Sequence, residues 1–437
     1  MGESLAPHRA VPTHHAPAVI HHALDGLFRA QYGQLVATLT RTLGAARLDL
    51  VEDATQEALL RALRVWPHRG VPDNPAGWLF RVARNGALDA LRRERALADK
   101  LPTLTAALAA LPEPGVGDDT DDEQLRDDQL WLLFGCCHPA LAPEAQVALT
   151  LKALAGFGTP EIARAFLTAE TTIAQRLVRA KRTIRARDLS FALPTAEALP
   201  ARLDAVLATL YLLFNEGYTA HRGAALTRVE PCAEAIRLGT ILAAAPVGDQ
   251  PRVHALLALF LLLAARLPAR TAADGALLTL AEQDRARWDR ALLAAGLRAL
   301  DRAAGGATLT AYHLQAEIAA CHATAPTYAA TDWRRILAAY DALLRRDPSP
   351  LVRLNRAVAV AELDGPAAAL AAIAPLLHET SLTRYPLLHA TRADFLRRLG
   401  RTAEAHAAYT AALALTTNGA ERQFLIRRVG EMGEAGQ

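Results

Sequence analysis

Apolar residues recur along most of this chain at the three-to-four residue spacing of one helix face. Leu27, Tyr32, Leu35, Leu39 and Leu43 show it, and Leu59, Leu63 and Trp66 repeat it. Apolar–polar alternation never persists, and strand formers are sparse beside Ala, Leu and Arg. The pattern predicts an all-α protein. Trp66 to Pro75 holds three prolines and one glycine and predicts a loop. A helix is expected next over Ala76–Arg95, with Trp78, Leu79, Val82, Leu88 and Leu91 inward. Ala255–Ala265 is continuously apolar, about half of what a membrane span needs, and predicts a fully buried helix.

A second helical pattern is punctuated by turn chemistry. Pro143–Leu154 predicts a helix that Gly156-Phe157-Gly158 ends. Thr159 is placed to cap a short helix over Glu161–Phe166, with Pro160 at its first position. Leu167 closes the turn, and Thr168 is placed to cap a longer helix, Glu170–Arg187. That last helix buries Ile173, Leu177, Ala180 and Ile184 and carries six basic residues against one acid. A capped short helix, a tight turn and a basic third helix make a helix-turn-helix. Thr171, Thr172 and Gln175 then lie where base edges are read, Arg176 suits a guanine, and Arg179 and Arg182 suit phosphates.

Near the end of the chain a repeat of 34 to 35 residues relates Tyr340, Ala374 and Tyr409. Gly365 and Leu370, then Ala393, Gly400, Ala405 and Ala412, fall at the offsets of a tetratricopeptide unit. A generic array of α-hairpins is the other reading, and both give stacked helices.

Charge sharpens this division. The chain has 437 residues, 52% of them hydrophobic, and a net charge of +3. From Met1 to Arg187 there are 22 basic against 21 acidic residues, but Leu101–Leu149 alone has 1 against 9. Two basic modules therefore flank an acidic connector, which Pro112, Pro114, Gly115 and Gly117 and the run Asp118–Glu123 predict to be extended. The expected domains are a disordered tail (1–22), a first module (23–98), the linker (99–129), the helix-turn-helix module (130–189), a helical domain (190–330) and the repeats (331–437).

Candidate chemistry adds little. Cys136, Cys137, Cys232 and Cys321 lack metal-ligand spacing and predict reduced, buried thiols. The histidines of the tail (His8, His14, His15, His21 and His22) fit a disordered segment, with metal binding as the alternative. Glu216, His221, His254 and His313 form no triad or metal pattern, so no catalysis, cofactor or metal is expected. With no secretory pattern in view, a soluble cytoplasmic protein without membrane contact is expected.

The stretch Leu154–Ala163 with Thr172–Arg182 resembles region 4 of the extracytoplasmic-function sigma factors of the sigma-70 family. Phe28–Tyr32, Val51–Ala58 and Trp78–Asp89 resemble their region 2. Three further stretches, Tyr211–Tyr218, Glu282–Asp289 and Leu354–Ala361, are similar to a subgroup with a tetratricopeptide-type C-terminal extension. The resemblance implies a promoter-specific initiation factor for core RNA polymerase. Glu52, Asp53, Gln56 and Glu57 would dock on the clamp helices of the β′ subunit, and the β flap would be a second contact. Asn74, Trp78, Arg81, Arg84, Asn85 and Arg92 would melt and read the −10 element, and Thr171, Thr172, Gln175, Arg176, Arg179 and Arg182 the −35 element. The linker would enter the polymerase cleft, its carboxylates imitating RNA phosphates; a solvated tether is the other account. The extension is expected to be an in-chain regulator, with a protein partner of its own as a further expectation. A helix-turn-helix regulator with a sensing helical array is the alternative function.

Overall fold

The computed structural model describes residues 31–93, 106–111, 119–165, 168–189, 191–219, 226–227 and 229–434. Phe28, the tail, His221, residues 99–105, the Pro–Gly stretch 112–118, and Phe166 and Leu167 lie outside these. The described residues are helical, with one isolated antiparallel bridge, Thr271 to Leu277. They form two units.

The first unit is built from α1 (31–43), α2 (Leu48–Arg69), α3 (Pro75–Arg93), the short α4 (106–109) and the first part of α5 (Asp119–Cys136), with residues 153–156 and 184–189. Tyr32, Leu35, Val36, Leu39 and Leu43 bury one face of α1. On α2 the buried seam is Val51, Ala54, Ala58, Ala62 and Trp66, and its alanines let α3 approach closely. Leu63, expected inward, is 37% exposed because the alanine stripe already faces the core. Helix α2 also runs four residues into the expected loop, through Pro67 to Arg69. Buried Trp66 anchors this last turn, although Pro67 has no amide to give to the carbonyl one turn before it. Gly70, at φ 82°, makes the turn that follows, with its amide bonded to Trp66 O at 2.9 Å.

The acidic connector differs from expectation as well. Residues 119–129 are not extended but form the first turns of α5. Buried Leu130, Leu132, Leu133 and Phe134 fix the far end of that helix, and each residue added toward its start gains a backbone hydrogen bond.

The second unit holds Leu133–Lys152, Phe157–Thr183 and Ser190–Gln437. It contains α6 (Pro143–Ala153), α7 (Thr159–Ala165) and most of α8 (Glu170–Ala186). Next come α9 (Leu199–Tyr218), α10 (Val229–Ala244), α11 (Pro251–Ala264), α12 (Arg290–Ala303) and α13 (Ala311–Thr324). Helix α11 is apolar on every side, as expected, and α9, α10, α12 and α13 surround it. By length and composition Pro251–Ala269 is apolar enough to cross a membrane, yet most of it is buried inside this bundle.

The chain continues through α14 (Trp333–Leu344), α15 (Pro350–Leu363), α16 (Pro366–Ile373), α17 (Pro386–Arg398), α18 (Thr402–Leu415) and α19 (Gly419–Glu434). Each helix packs on the next. Leu314 and Ile318 of α13 share a core with Ile336 and Leu343 of α14, so packing is continuous across residue 330. Gly365 and Gly400 make the turns into α16 and α18, and Ala393, Ala405, Tyr409 and Ala412 are buried together. Ala374 is exposed at the start of a 3-10 turn, so the middle unit departs from the repeat pattern.

Candidate nucleic-acid and polymerase interfaces

The helix-turn-helix forms with its caps one step displaced. Gly158, not Thr159, precedes α7, and its amide donates to Glu161 Oε2 at 2.7 Å, the reciprocal half of a capping box. Ala169, not Thr168, immediately precedes α8, its carbonyl accepting from the amides of Thr172 at 3.0 Å and Ile173 at 3.3 Å. Ile173, Leu177, Ala180 and Ile184 are buried as expected. At about 100° per residue, the direction opposite that stripe falls on Thr171, Gln175, Val178 and Arg182, with Arg179 alongside. All five are exposed. Thr172 and Arg176 stand on the flanks and are half-buried, so Arg176 is not at the crest. Val178, 65% exposed between the polar residues, was missed because an apolar residue on a helix reads as core.

The same construction applied to α3 gives an exposed ridge of Trp78, Arg81, Asn85 and Arg92 at offsets 0, 3, 7 and 14. Trp78 is half-buried, its ring edge-on to Trp66 at 5.5 Å. Arg92 pairs with Asp89 at 3.2 Å in solvent. Two of the expected residues are committed elsewhere. Asn74 caps α3, its Oδ1 accepting the Gly77 amide at 2.8 Å. Arg84 lies off the ridge and half-buried, over the Phe80 ring, and donates to Leu111 O at 3.2 Å.

On α2, Asp53, Gln56 and Glu57 are exposed and Glu52 is not: it is 3% exposed, beside Tyr32. Burial and then the Glu52 charge push the Tyr32 hydroxyl far above its ordinary pKa. The ridge is instead half-buried Asp49 followed by exposed Asp53, Gln56, Leu60 and Arg64, with Leu60 the apolar member. Asp49 stands one turn before Asp53 on the same face, a relationship that shows only in the angular position of each residue. Asp49, Asp53 and Glu57 line a cavity of about 690 Å³ with Gly86, Ala90 and Arg93 of α3. Arg185 closes one end, 2.6 Å from Asp49, and with both side chains about half exposed this pair contributes less than about 1 kcal/mol.

His254, His313 and the four cysteines have structural surroundings. His254 Nε2 meets Asp249 at 2.6 Å. His313 completes a capping box with Thr310, and its pKa is lowered by burial. All four cysteines are buried thiols, and burial raises the pKa of Cys232 to about 12. Among the described residues no group of three or more His, Cys, Asp or Glu is placed to hold a metal.

The helix-turn-helix is also built into the extension. Phe191, 1% exposed, lies so close to Gly135 that a β-carbon there would come 2.1 Å from its ring. Arg202 of α9 donates to Phe134 O, and Cys137 Sγ lies 3.5 Å from Thr209 Oγ1. The stretch 191–209, expected to lie in a separate domain, therefore shares a core with the end of α5.

Three stretches of the chain match known families. Residues 27–97 match the family "Sigma-70 region 2", residues 131–184 "Sigma-70, region 4", and residues 202–304 a family of unknown function (DUF6596). "Uncharacterized protein R00370" of Rhizobium meliloti (strain 1021) is 40% identical over 396 residues, 90% of this chain and 93% of that protein. "Probable RNA polymerase sigma factor RfaY" of Xanthomonas campestris pv. campestris is 29% identical over 180 residues, 38% of this chain and 44% of that protein. No solved structure is matched significantly. Regions 2 and 4 thus stand in order in this chain, as in sigma factors of the sigma-70 family, whose partners are core RNA polymerase and promoter DNA.

Proposed function

We propose that the chain is an extracytoplasmic-function type sigma factor that divides its work among three helix ridges. The α2 ridge, acidic with exposed Leu60 at its centre, suits docking on the polymerase β′ clamp helices. The α3 ridge places an aromatic ring, an amide and two guanidiniums along one line, suited to an unstacked −10 strand. The α8 ridge enters the major groove of the −35 element, with Thr171 and Gln175 at base edges and Arg179 and Arg182 at phosphates. Val178 fits a thymine methyl group. The β flap is the remaining polymerase contact of region 4, and the protein works in the cytoplasm.

The tetratricopeptide-like extension regulates the factor from within the chain, because Phe191 ahead of its first helix and Arg202 within that helix share a core with the end of α5. The observation that carries the reading is the separation of an acidic–apolar ridge from a basic one, on two helices of the two sigma regions. Region 2 has no place in a free helix-turn-helix regulator, and its presence favours the sigma reading over that alternative.

The test is a double dissociation. Asp53→Arg should abolish co-elution with core polymerase, while Gln175→Ala should leave co-elution intact and lose selection among promoters. Loss of both properties in both variants would contradict the division of labour.

A further inference from the structure

The C-terminal array contains a groove of about 690 Å³ that neither sigma region uses. Its walls are whole helix faces. Trp333, Ile336 and Tyr340 come from α14 at offsets 0, 3 and 7, and Asn355, Val358 and Glu362 from α15 at the same offsets. Helix α17 contributes Leu387, Thr391, Asp394 and Arg398, offsets 0, 4, 7 and 11. Two of the stretches that resemble the sigma subgroup meet here, since Glu282 and Asn355 line the same groove.

The charges in the groove are already matched. Glu362 pairs with Arg398 at 2.7 Å, Asp394 with Arg397 at 2.6 Å, and Glu282 with Arg428 at 2.8 Å. His322 adds none, because burial and the nearby Arg266 and Arg285 push its pKa down to about 3. A nucleic acid or an acidic peptide requires unpaired cations, and this groove offers three neutral pairs. What remains open is of another kind. Trp333 stands with Tyr328 and His322, both rings 5.3 Å away, and Leu387 is 41% exposed. Among the described residues Asn355 and Thr391 make no side-chain hydrogen bond. An asparagine amide offers one acceptor and two donors, the complement of a peptide unit.

We propose that this groove binds an extended polypeptide segment of little net charge with aromatic or aliphatic side chains. Asn355 and Thr391 take its backbone, and Trp333, Tyr340 and Leu387 take its side chains. The face from Leu387 to Arg398 is ~16 Å long at the rise of a helix, which holds ~5 residues of extended chain. Walls drawn from several successive helices favour such a strand over a compact small molecule.

The test pans a random dodecapeptide library displayed on phage against the full-length protein, counter-selecting on Asn355→Ala. It does not depend on transcription, so its outcome is separate from that of the sigma reading. Asn355 is exposed, so its replacement leaves the fold intact, which an unchanged Tm checks. Enriched peptides should be near neutral and rich in large apolar residues. Synthetic versions should lose about tenfold in affinity to Asn355→Ala, as expected for one or two hydrogen bonds. Leu387→Asp should weaken them by at least as much. No enrichment over the counter-target, enrichment of strongly charged peptides, or affinity unchanged by both variants would each overturn the proposal.

Discussion

Asp128 of α5 receives the Arg41 guanidinium of α1 at 2.8 Å, and its other oxygen takes the Thr38 hydroxyl at 2.8 Å. The carboxylate is 3% exposed, so its partners replace water almost completely. This contact fastens an acid of the expected tether to the first helix of region 2. Asp128→Ala should cost about 2 kcal/mol in urea denaturation, and Asp128→Asn less, since it keeps the Thr38 bond. Equal stability of all three proteins would show that the contact is incidental.

Gly33 of α1 faces a backbone carbonyl so closely that a β-carbon would come 2.1 Å from Leu154 O. Neither backbone can yield locally. Gly33→Ala should destabilise by about 1–3 kcal/mol, read as a fall in Tm, although alanine is the better helix former. A raised Tm would mean that this packing is not kept in solution.

The ridge geometry of α8 puts Arg182 at the crest and Arg176 on a half-buried flank. Arg182→Ala should weaken holoenzyme binding to all promoters alike and reduce the slope of log K against log salt by about 1. Arg176→Ala, from a half-buried flank, should have the smaller effect on that slope. Footprinting titrations across a salt series measure both.

Burial of Phe191 ties region 4 to the extension. Phe191→Ala should cost about 3–5 kcal/mol and loosen the end of α5, seen as faster amide exchange around Phe134. Truncation after Arg187 removes the same side chain, so its effect on transcription combines lost regulation with lost packing.

Stability should also depend on pH through His322. Its folded pKa, about 3, lies below the ordinary 6.5 because burial and two guanidiniums oppose its charge. In acid the unfolded chain takes up the proton first, so stability is fully present above about pH 6.5. It falls by about 1 kcal/mol per pH unit as pH drops toward 4. Denaturant midpoints of His322→Asn should fall less steeply over that window. Parallel profiles for the two proteins would count against this burial.

The helices, the buried stripe of α8 and the burial of α11 are all legible in the sequence, because apolar spacing fixes which face turns inward. Polar residues carry a weaker signal. Glu52 and Asp53 look alike in sequence, but one step of ~100° puts the first beside the buried stripe and the second on the ridge. Asn74 similarly gives no sign of whether it caps a helix or meets a base. The α5 extension, the Arg41–Asp128 pair and the core at Phe191 depend on contacts between residues far apart in the chain. No local pattern encodes these.

The most direct test of the account is run-off transcription with the full-length protein and core RNA polymerase over a genomic promoter library. Discrete start sites should appear that core polymerase alone does not make. They should share −35 and −10 elements, be lost with Asp53→Arg, and be redistributed by Gln175→Ala. Transcription indistinguishable from that of core polymerase alone would contradict the account.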